Sequence, residues 1–222
     1  PQGTPVLLET GDFDGDGGGD LLVARSTAAP GGGGYRWEAC LSNGFGFGPD
    51  PIATFTTEAA PGKLLVLDLN GDGLADVLVG AYGYDNGQTD EGRAYLYFGT
   101  TAGLSTSPDW MAEGNQAGAN FGVLVNAAGD VNDDGYDDFL IAATDYDGGQ
   151  ADEGRVSVYY GSASGRGPAA NWSAVGGEAG AYFGSAAGSA GDVNGDGYGD
   201  IVVGAWYYWV RGQGRVRVYQ GS

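Results

Sequence analysis

Residues Gly191–Asp200 read GDVNGDGYGD and place Asp192, Asn194, Asp196 and Asp200 within nine positions. Alone, such a cluster could be a metal site, a catalytic carboxylate group or an acidic surface turn. The phrase is not alone. GDFDGDGGGD begins at Gly11, LDLNGDGLAD at Leu67 and GDVNDDGYDD at Gly129. The leading aspartates, Asp12, Asp68, Asp130 and Asp192, are spaced by 56, 62 and 62 residues. A catalytic centre need occur only once in a chain, whereas a structural staple must occur once per unit.

The repetition extends beyond the acidic loop. Trp110 is matched by Trp172, Phe121-Gly122 by Phe183-Gly184, and TDEGRAYLYFG (89–99) by ADEGRVSVYYG (151–161). Self-similarity at this period predicts a repeat architecture. Each unit reads as four short strands. The first precedes the acidic loop, as in KLLVLD, and the second follows it, as in VLVGA (77–81) and IVVGA (201–205). The second strands are apolar throughout, as expected of strands buried on both faces. The third strands, RAYLYFG, RVSVYYG and RVRVYQG, alternate, which predicts one face more buried than the other. A weaker fourth strand holds Trp110 or Trp172, and in the first unit IATFT (52–56).

The predicted fold is therefore all-β: four-stranded antiparallel β-propeller blades, about four of them, the last lacking its outer strand. The blades would span about 1–60, 61–118, 119–180 and 181–222 of a single partial ring. A β-solenoid is the alternative, but its rungs are usually much shorter.

Composition narrows the function. The 222 residues carry 29 acids against nine Lys and Arg, a formal charge of −20. Such a surface repels nucleic acid and suits cations. There is no His, so His-based catalysis and His-ligated zinc are excluded. Cys40 is the single cysteine, read as a small core residue, so no intrachain disulfide forms. No apolar run is long enough to span a membrane. The chain opens on Pro1 without a signal peptide, as a processed or excised piece would.

Numbered from the first Asp, the loop offers oxygen ligands at positions 1, 3, 5 and 9. These are Asp12, Asp14, Asp16 and Asp20; Asp68, Asn70, Asp72 and Asp76; Asp130, Asn132, Asp134 and Asp138; and Asp192, Asn194, Asp196 and Asp200. Position 7 adds a backbone carbonyl from Gly18, Leu74, Tyr136 or Tyr198, and Gly at position 6 permits the sharp turn. Hard oxygen donors on a flexible loop suit Ca²⁺, about four ions at one per repeat. An EF-hand needs Glu at position 12, where this chain has Val23, Val79, Ile141 and Val203 inside apolar strands. The plain alternative is an Asx-rich hairpin turn without metal.

These residues resemble the FG-GAP repeat of integrin α-subunit propellers and their bacterial relatives. The resemblance rests on Phe121-Gly122 and Phe183-Gly184, on the DxNxDGxxD loops, and on VGA at 79–81 and 203–205. The third unit has IAA in place of VGA, the second has PGKLL in place of Phe-Gly, and LSNGFGF (41–47) is similar to the related VCBS-type repeat. The resemblance implies a calcium-stapled propeller, usually of seven blades, with ligands met on the face opposite the calcium loops. The four units here would make about half of such a ring. Either the chain is a fragment, or copies assemble to close a ring, or it stays an open array. The bare third strand of the last unit favours a homodimer through open blade edges.

One loop breaks the repeat. Between the second and third strands, YGYDNGQTDEGR and TDYDGGQADEGR give way to WYYWVRGQGR (206–215). Trp206, Tyr207, Tyr208, Trp209 and Arg211 are candidate ligand contacts, or else packing residues. Trp110 and Trp172 recur and read as interblade packing. Asp90, Glu91, Asp152 and Glu153 could suggest a glycosidase pair, but they recur too and read as loop caps or solvated acids. The expected function is a non-enzymatic, extracellular calcium-binding module for protein binding or adhesion. The alternatives are a lectin-like propeller or an accessory domain of a larger secreted enzyme.

Overall fold

A computed structural model of the chain describes residues 5–27, 34–40, 53–57, 62–163, 169–206 and 213–222. Among these residues there is no helix, and 15 strands form four sheets. The first sheet holds β1 (Pro5–Gly11), β2 (Asp20–Thr27), β3 (Gly34–Cys40) and β4 (Ala53–Thr57). The second holds β5 (Lys63–Leu67), β6 (Asp76–Ala81), β7 (Arg93–Tyr97) and β8 (Trp110–Glu113). The third holds β9 (Phe121–Gly129), β10 (Asp138–Ala143), β11 (Arg155–Tyr159) and β12 (Trp172–Val175). The fourth has three strands: β13 (Phe183–Gly191), β14 (Asp200–Ala205) and β15 (Arg215–Tyr219). Each sheet is an antiparallel meander, so these are propeller blades, the last without an outer strand. The LSNGFGF stretch and the side chain of Cys40 lie outside the described residues.

The core lies between successive blades. Phe13 and Leu22 of the first blade pack with Leu64, Val77, Val79 and Tyr97 of the second. Leu78, Leu96 and Trp110 of the second meet Phe121, Phe139 and Ile141 of the third. Leu140, Val156 and Val158 of the third meet Phe183, Ile201 and Val203 of the fourth. A blade between two neighbours therefore has two apolar faces, and β6 and β10 are buried at every residue. Burying one such aliphatic side chain contributes about 1.5–3 kcal/mol, so these contacts dominate stability.

The third strands depart from the sequence expectation. β7 and β11 are buried on both faces, not one. Tyr95 and Tyr97 face the first blade, while Ala94 and Leu96 face the third. In β7 the alternation sorts large aromatic from smaller side chains, not core from solvent. Of the third strands whose burial is described, β15 alone alternates in an open setting, with Val216 and Val218 exposed. Trp110 behaves as expected of interblade packing, edge-on to Phe139 at 5.5 Å and to Tyr159 at 5.1 Å. Trp172 meets Tyr219 of the fourth blade at 4.8 Å.

The Phe-Gly and Gly-Ala pairs bring neighbouring backbones together. The N–H of Phe121 donates to the carbonyl of Glu91, and that of Phe183 to the carbonyl of Glu153. Gly122 has φ +86°, and a Cβ there would lie 2.8 Å from the Arg93 carbonyl oxygen and 3.1 Å from the Cα of Gly80. At the next interface Ala142 stands where Gly80 does, and a Cβ on Gly184 would come within 2.9 Å of it. Gly122→Ala should therefore cost about 2–3 kcal/mol in urea unfolding, from left-handed strain plus overlap. Gly149→Ala, with nothing within 4 Å of its Cβ, is the control and should leave stability within about 0.5 kcal/mol.

Candidate metal centres

The four acidic loops join the first two strands of each blade, β1–β2, β5–β6, β9–β10 and β13–β14. Their internal bonding is nearly the same. The position-1 carboxylate accepts amide N–H groups from the turn: Gly17 to Asp12 at 2.9 Å, Gly73 to Asp68 at 2.9 Å, Gly135 to Asp130 at 2.8 Å and Gly197 to Asp192 at 2.9 Å. The Gly197 bond, with others, holds Asp192 below the usual carboxylate range. The position-5 carboxylate accepts the N–H of position 7, from Gly18, Leu74, Tyr136 and Tyr198. Where position 3 is Asn, its amide donates to position 5, as Asn70 does to Asp72 at 3.0 Å, Asn132 to Asp134 at 2.9 Å and Asn194 to Asp196 at 2.7 Å. The position-6 glycines have φ between +83° and +97°, the turn that glycine permits.

Position 9 is different. Asp20, Asp76, Asp138 and Asp200 are each fully buried. One oxygen accepts the N–H of position 2, from Phe13, Leu69, Val131 or Val193, at 2.8–2.9 Å. In the last three blades the other oxygen accepts the N–H of a glycine that follows the third strand, Gly99 at 2.9 Å, Gly161 at 2.7 Å and Gly221 at 3.0 Å. The aspartate thus ties the loop to the far end of the blade. Burial pushes Asp76 up to about 7 and Asp138 up to about 6, with acidic loop neighbours adding to it and the amide bonds opposing it.

The donor set fits a hard cation. In the first loop, one oxygen from each of Asp12, Asp14 and Asp20 lies within 4.8 Å of the others. In Asp76, Asp138 and Asp200 each carboxylate oxygen accepts one amide, and such an oxygen carries two lone pairs. Every side-chain donor of the four loops is a carboxylate or amide oxygen, the chemistry Ca²⁺ selects.

The other candidate acids have backbone partners. Buried Glu91 accepts the N–H of Asn86 at 2.6 Å, and buried Glu153 those of Gly149 at 2.6 Å and Gly177 at 3.0 Å. Asp85 and Asp147 accept the N–H groups of Asp90 and Asp152. Glu91 and Glu153 thus cap their loops, while Asp90 and Asp152 enter these bonds through their backbone N–H groups. Arg93, which sequence reading passed over, ion-pairs with Glu113 and stacks on Tyr84 at 3.8 Å. Its signal was the recurrent EGR triplet, repeated where Arg155 lies on Tyr146 at 4.2 Å.

Of the aromatic loop, Tyr207, Tyr208, Trp209 and Arg211 lie outside the described residues. Trp206 is described and 77% exposed. It lines an open groove of about 520 Å³ with Val123, Thr144, Asp145, Tyr182 and Ser185, between the third and fourth blades. All but Trp206 escaped the sequence reading, because the groove combines two blades distant in sequence.

Repeated four-stranded blades, locked by Phe-Gly pairs and each carrying an acidic first hairpin, define a propeller-repeat protein. The FG-GAP repeat matches residues 60–97, 123–159 and 183–219, about half of the chain. The chain belongs to the FG-GAP repeat family. It is 34% identical over 182 residues to integrin alpha-PS2 of Drosophila melanogaster, covering 76% of this chain and 12% of that protein. It is 34% identical over 169 residues to integrin alpha-IIb of Mus musculus, covering 72% and 16%. It is 35% identical over 127 residues to phosphatidylinositol-glycan-specific phospholipase D of Mus musculus, covering 52% and 15%. The chain thus spans less than a fifth of each of these relatives. No helix among the described residues is long and apolar enough to cross a membrane.

The raised Asp76 and Asp138 set a pH dependence. A carboxyl whose folded value exceeds its ordinary 3.8 favours folding when protonated. That contribution is complete below about pH 4 and is lost as pH rises through about 6 to 7. The melting temperature of chelator-stripped protein should therefore fall between about pH 5 and 7.5; a rise over that interval would contradict the assignment.

Proposed function

We propose that this chain is a calcium-binding, extracellular propeller module for protein binding or adhesion, and that it is not itself an enzyme. The observation that carries the calcium reading is the fourfold recurrence of one all-oxygen hairpin, each ending in a buried carboxylate. Ca²⁺ would be held by positions 1, 3, 5 and 9 of each loop with the position-7 carbonyl. The ion would supply countercharge, offsetting the repulsion among three or four carboxylates in one turn. Its role is structural. The ligands recur with the fold, and the chain has no His to act as a base.

The adhesion reading is supported by the similarity to two proteins named as integrin alpha subunits. The groove around Trp206 is the candidate contact for a ligand. A glycan is the second reading, favoured by Trp206 and the partly exposed Tyr182 in one open groove, which offer faces for stacking. The similarity to a phospholipase D supports a third role, as an accessory unit of a larger enzyme.

Calorimetric titration should find about four Ca²⁺ per chain, and Asp192→Ala should reduce this to about three. Chelation should lower the melting temperature by at least about 10 °C, since each saturated site adds about 2.7 kcal/mol at a hundredfold excess over Kd. An unchanged melt would refute the staple. For the ligand, a glycan array separates the readings: saccharide binding lost in Trp206→Ala supports the lectin, and capture of protein alone supports adhesion.

A further inference from the structure

We propose that the acidic loops bind calcium as two coupled pairs, the first with the second and the third with the fourth, because a backbone carbonyl of one loop aims a ligand of the next. This rests on the calcium reading above and concerns how one site acts on another. The link is a peptide group with two ends. The carbonyl of Leu74, at position 7, and the N–H of Ala75, at position 8, belong to one trans peptide and point in opposite directions. The N–H of Ala75 donates to the backbone carbonyl of Asp12 in the first loop at 2.9 Å. That bond fixes the direction of the Leu74 carbonyl, the ligand proposed at position 7, and draws negative charge onto its oxygen. In the same way the N–H of Gly199 donates to the backbone carbonyl of Asp130 at 2.7 Å and fixes the carbonyl of Tyr198. Asp12 and Asp130 also supply position-1 carboxylates. Ligation of either side chain therefore steadies the carbonyl that orients the next loop's ligand.

The second and third loops lack this link. Among the described residues, no bond joins the N–H of Asp137 to the backbone carbonyl of Asp68. The two loops nonetheless touch. A Cβ on Gly71 would lie 3.1 Å from the Tyr136 ring, much as one on Gly15 would lie 2.6 Å from Leu74. The difference is at position 8, which is Ala75 or Gly199 where the bond forms and Asp137 where it does not. A Cβ on Gly199 would lie 2.8 Å from the Asp130 carbonyl oxygen, so a side chain there presses on the acceptor itself. Alanine is small enough for the bond to survive. Aspartate is larger, and it brings a carboxylate toward a carbonyl oxygen. Repulsion between neighbouring ions acts at all three junctions and does not separate them, whereas the peptide link does. Coupling of this kind is reciprocal, so each member of a pair favours the other.

Calcium titration followed by NMR tests this, with the amides of the position-6 glycines, Gly17, Gly73, Gly135 and Gly197, reading each site separately. Removing a position-5 carboxylate disables one loop at a time, and the glycines of the untouched loops report that the variant is folded. Asp16→Ala should weaken the second site, read at Gly73, roughly tenfold, and Asp134→Ala should weaken the fourth, read at Gly197, by a similar factor. Asp72→Ala removes the same charge but should leave the third site, read at Gly135, within about twofold. Gly199→Asp, which copies the third loop, should abolish the effect of Asp134→Ala on the fourth site; both measurements then share one background, so the added charge cancels. Equal effects at all three junctions, or none at any, overturn the coupling and leave the calcium reading standing. So does an effect of Asp134→Ala that survives Gly199→Asp. A wild-type chain whose four glycines do not respond to calcium defeats the calcium reading itself, and the coupling with it.

Discussion

The structure depends on a buried aspartate that binds two backbone amides. At position 9 of each acidic loop, a fully buried carboxylate would be costly if unpartnered. In Asp76 and Asp138 each oxygen accepts one N–H, one from the loop and one from the glycine after the third strand. That arrangement closes a hairpin and sets where the third strand ends. It also places a negative group beneath a turn already rich in acids, where a cation would be most stabilising. A cation held there, as proposed, would couple its binding to folding through the same side chain.

The second constraint is backbone contact between blades. The Phe-Gly pair supplies a ring to the interblade core and a glycine that lets two backbones approach. Where the partner changes from Gly80 to Ala142, Gly184 still fits against it with a slightly different contact. The second blade lacks Phe-Gly, and there the N–H of Gly62 donates to the Gly80 carbonyl of its own sheet at 2.7 Å. The interlock therefore tolerates variation at individual positions, provided each interface keeps its buried apolar side chains.

Much of this was legible in the sequence because repetition multiplies a weak signal. The acidic loops, the strand order, the interblade Trp110 and Trp172 and the missing outer strand were all readable from aligned copies. What escaped reading was tertiary. Alternation in β7 and β11 looked like one buried face because a sequence cannot show that a second blade covers the other. The glycine amides that meet the position-9 aspartates lie 21 to 23 residues away, so their pairing needed coordinates. The groove at Trp206 joins residues from β9 to the end of β14, and only packing brings Tyr182 and Asp145 to it.

The most direct test is amide hydrogen exchange read residue by residue, in calcium and after chelation. If buried aspartates and cations together hold each blade, the amides of Leu69, Gly99, Val131 and Gly161 will exchange in calcium as slowly as those of β6 and β10, and will quicken together when calcium is removed. If these four amides exchange as fast in calcium as the loop amide of Gly87, or do not respond to chelation, the account is wrong.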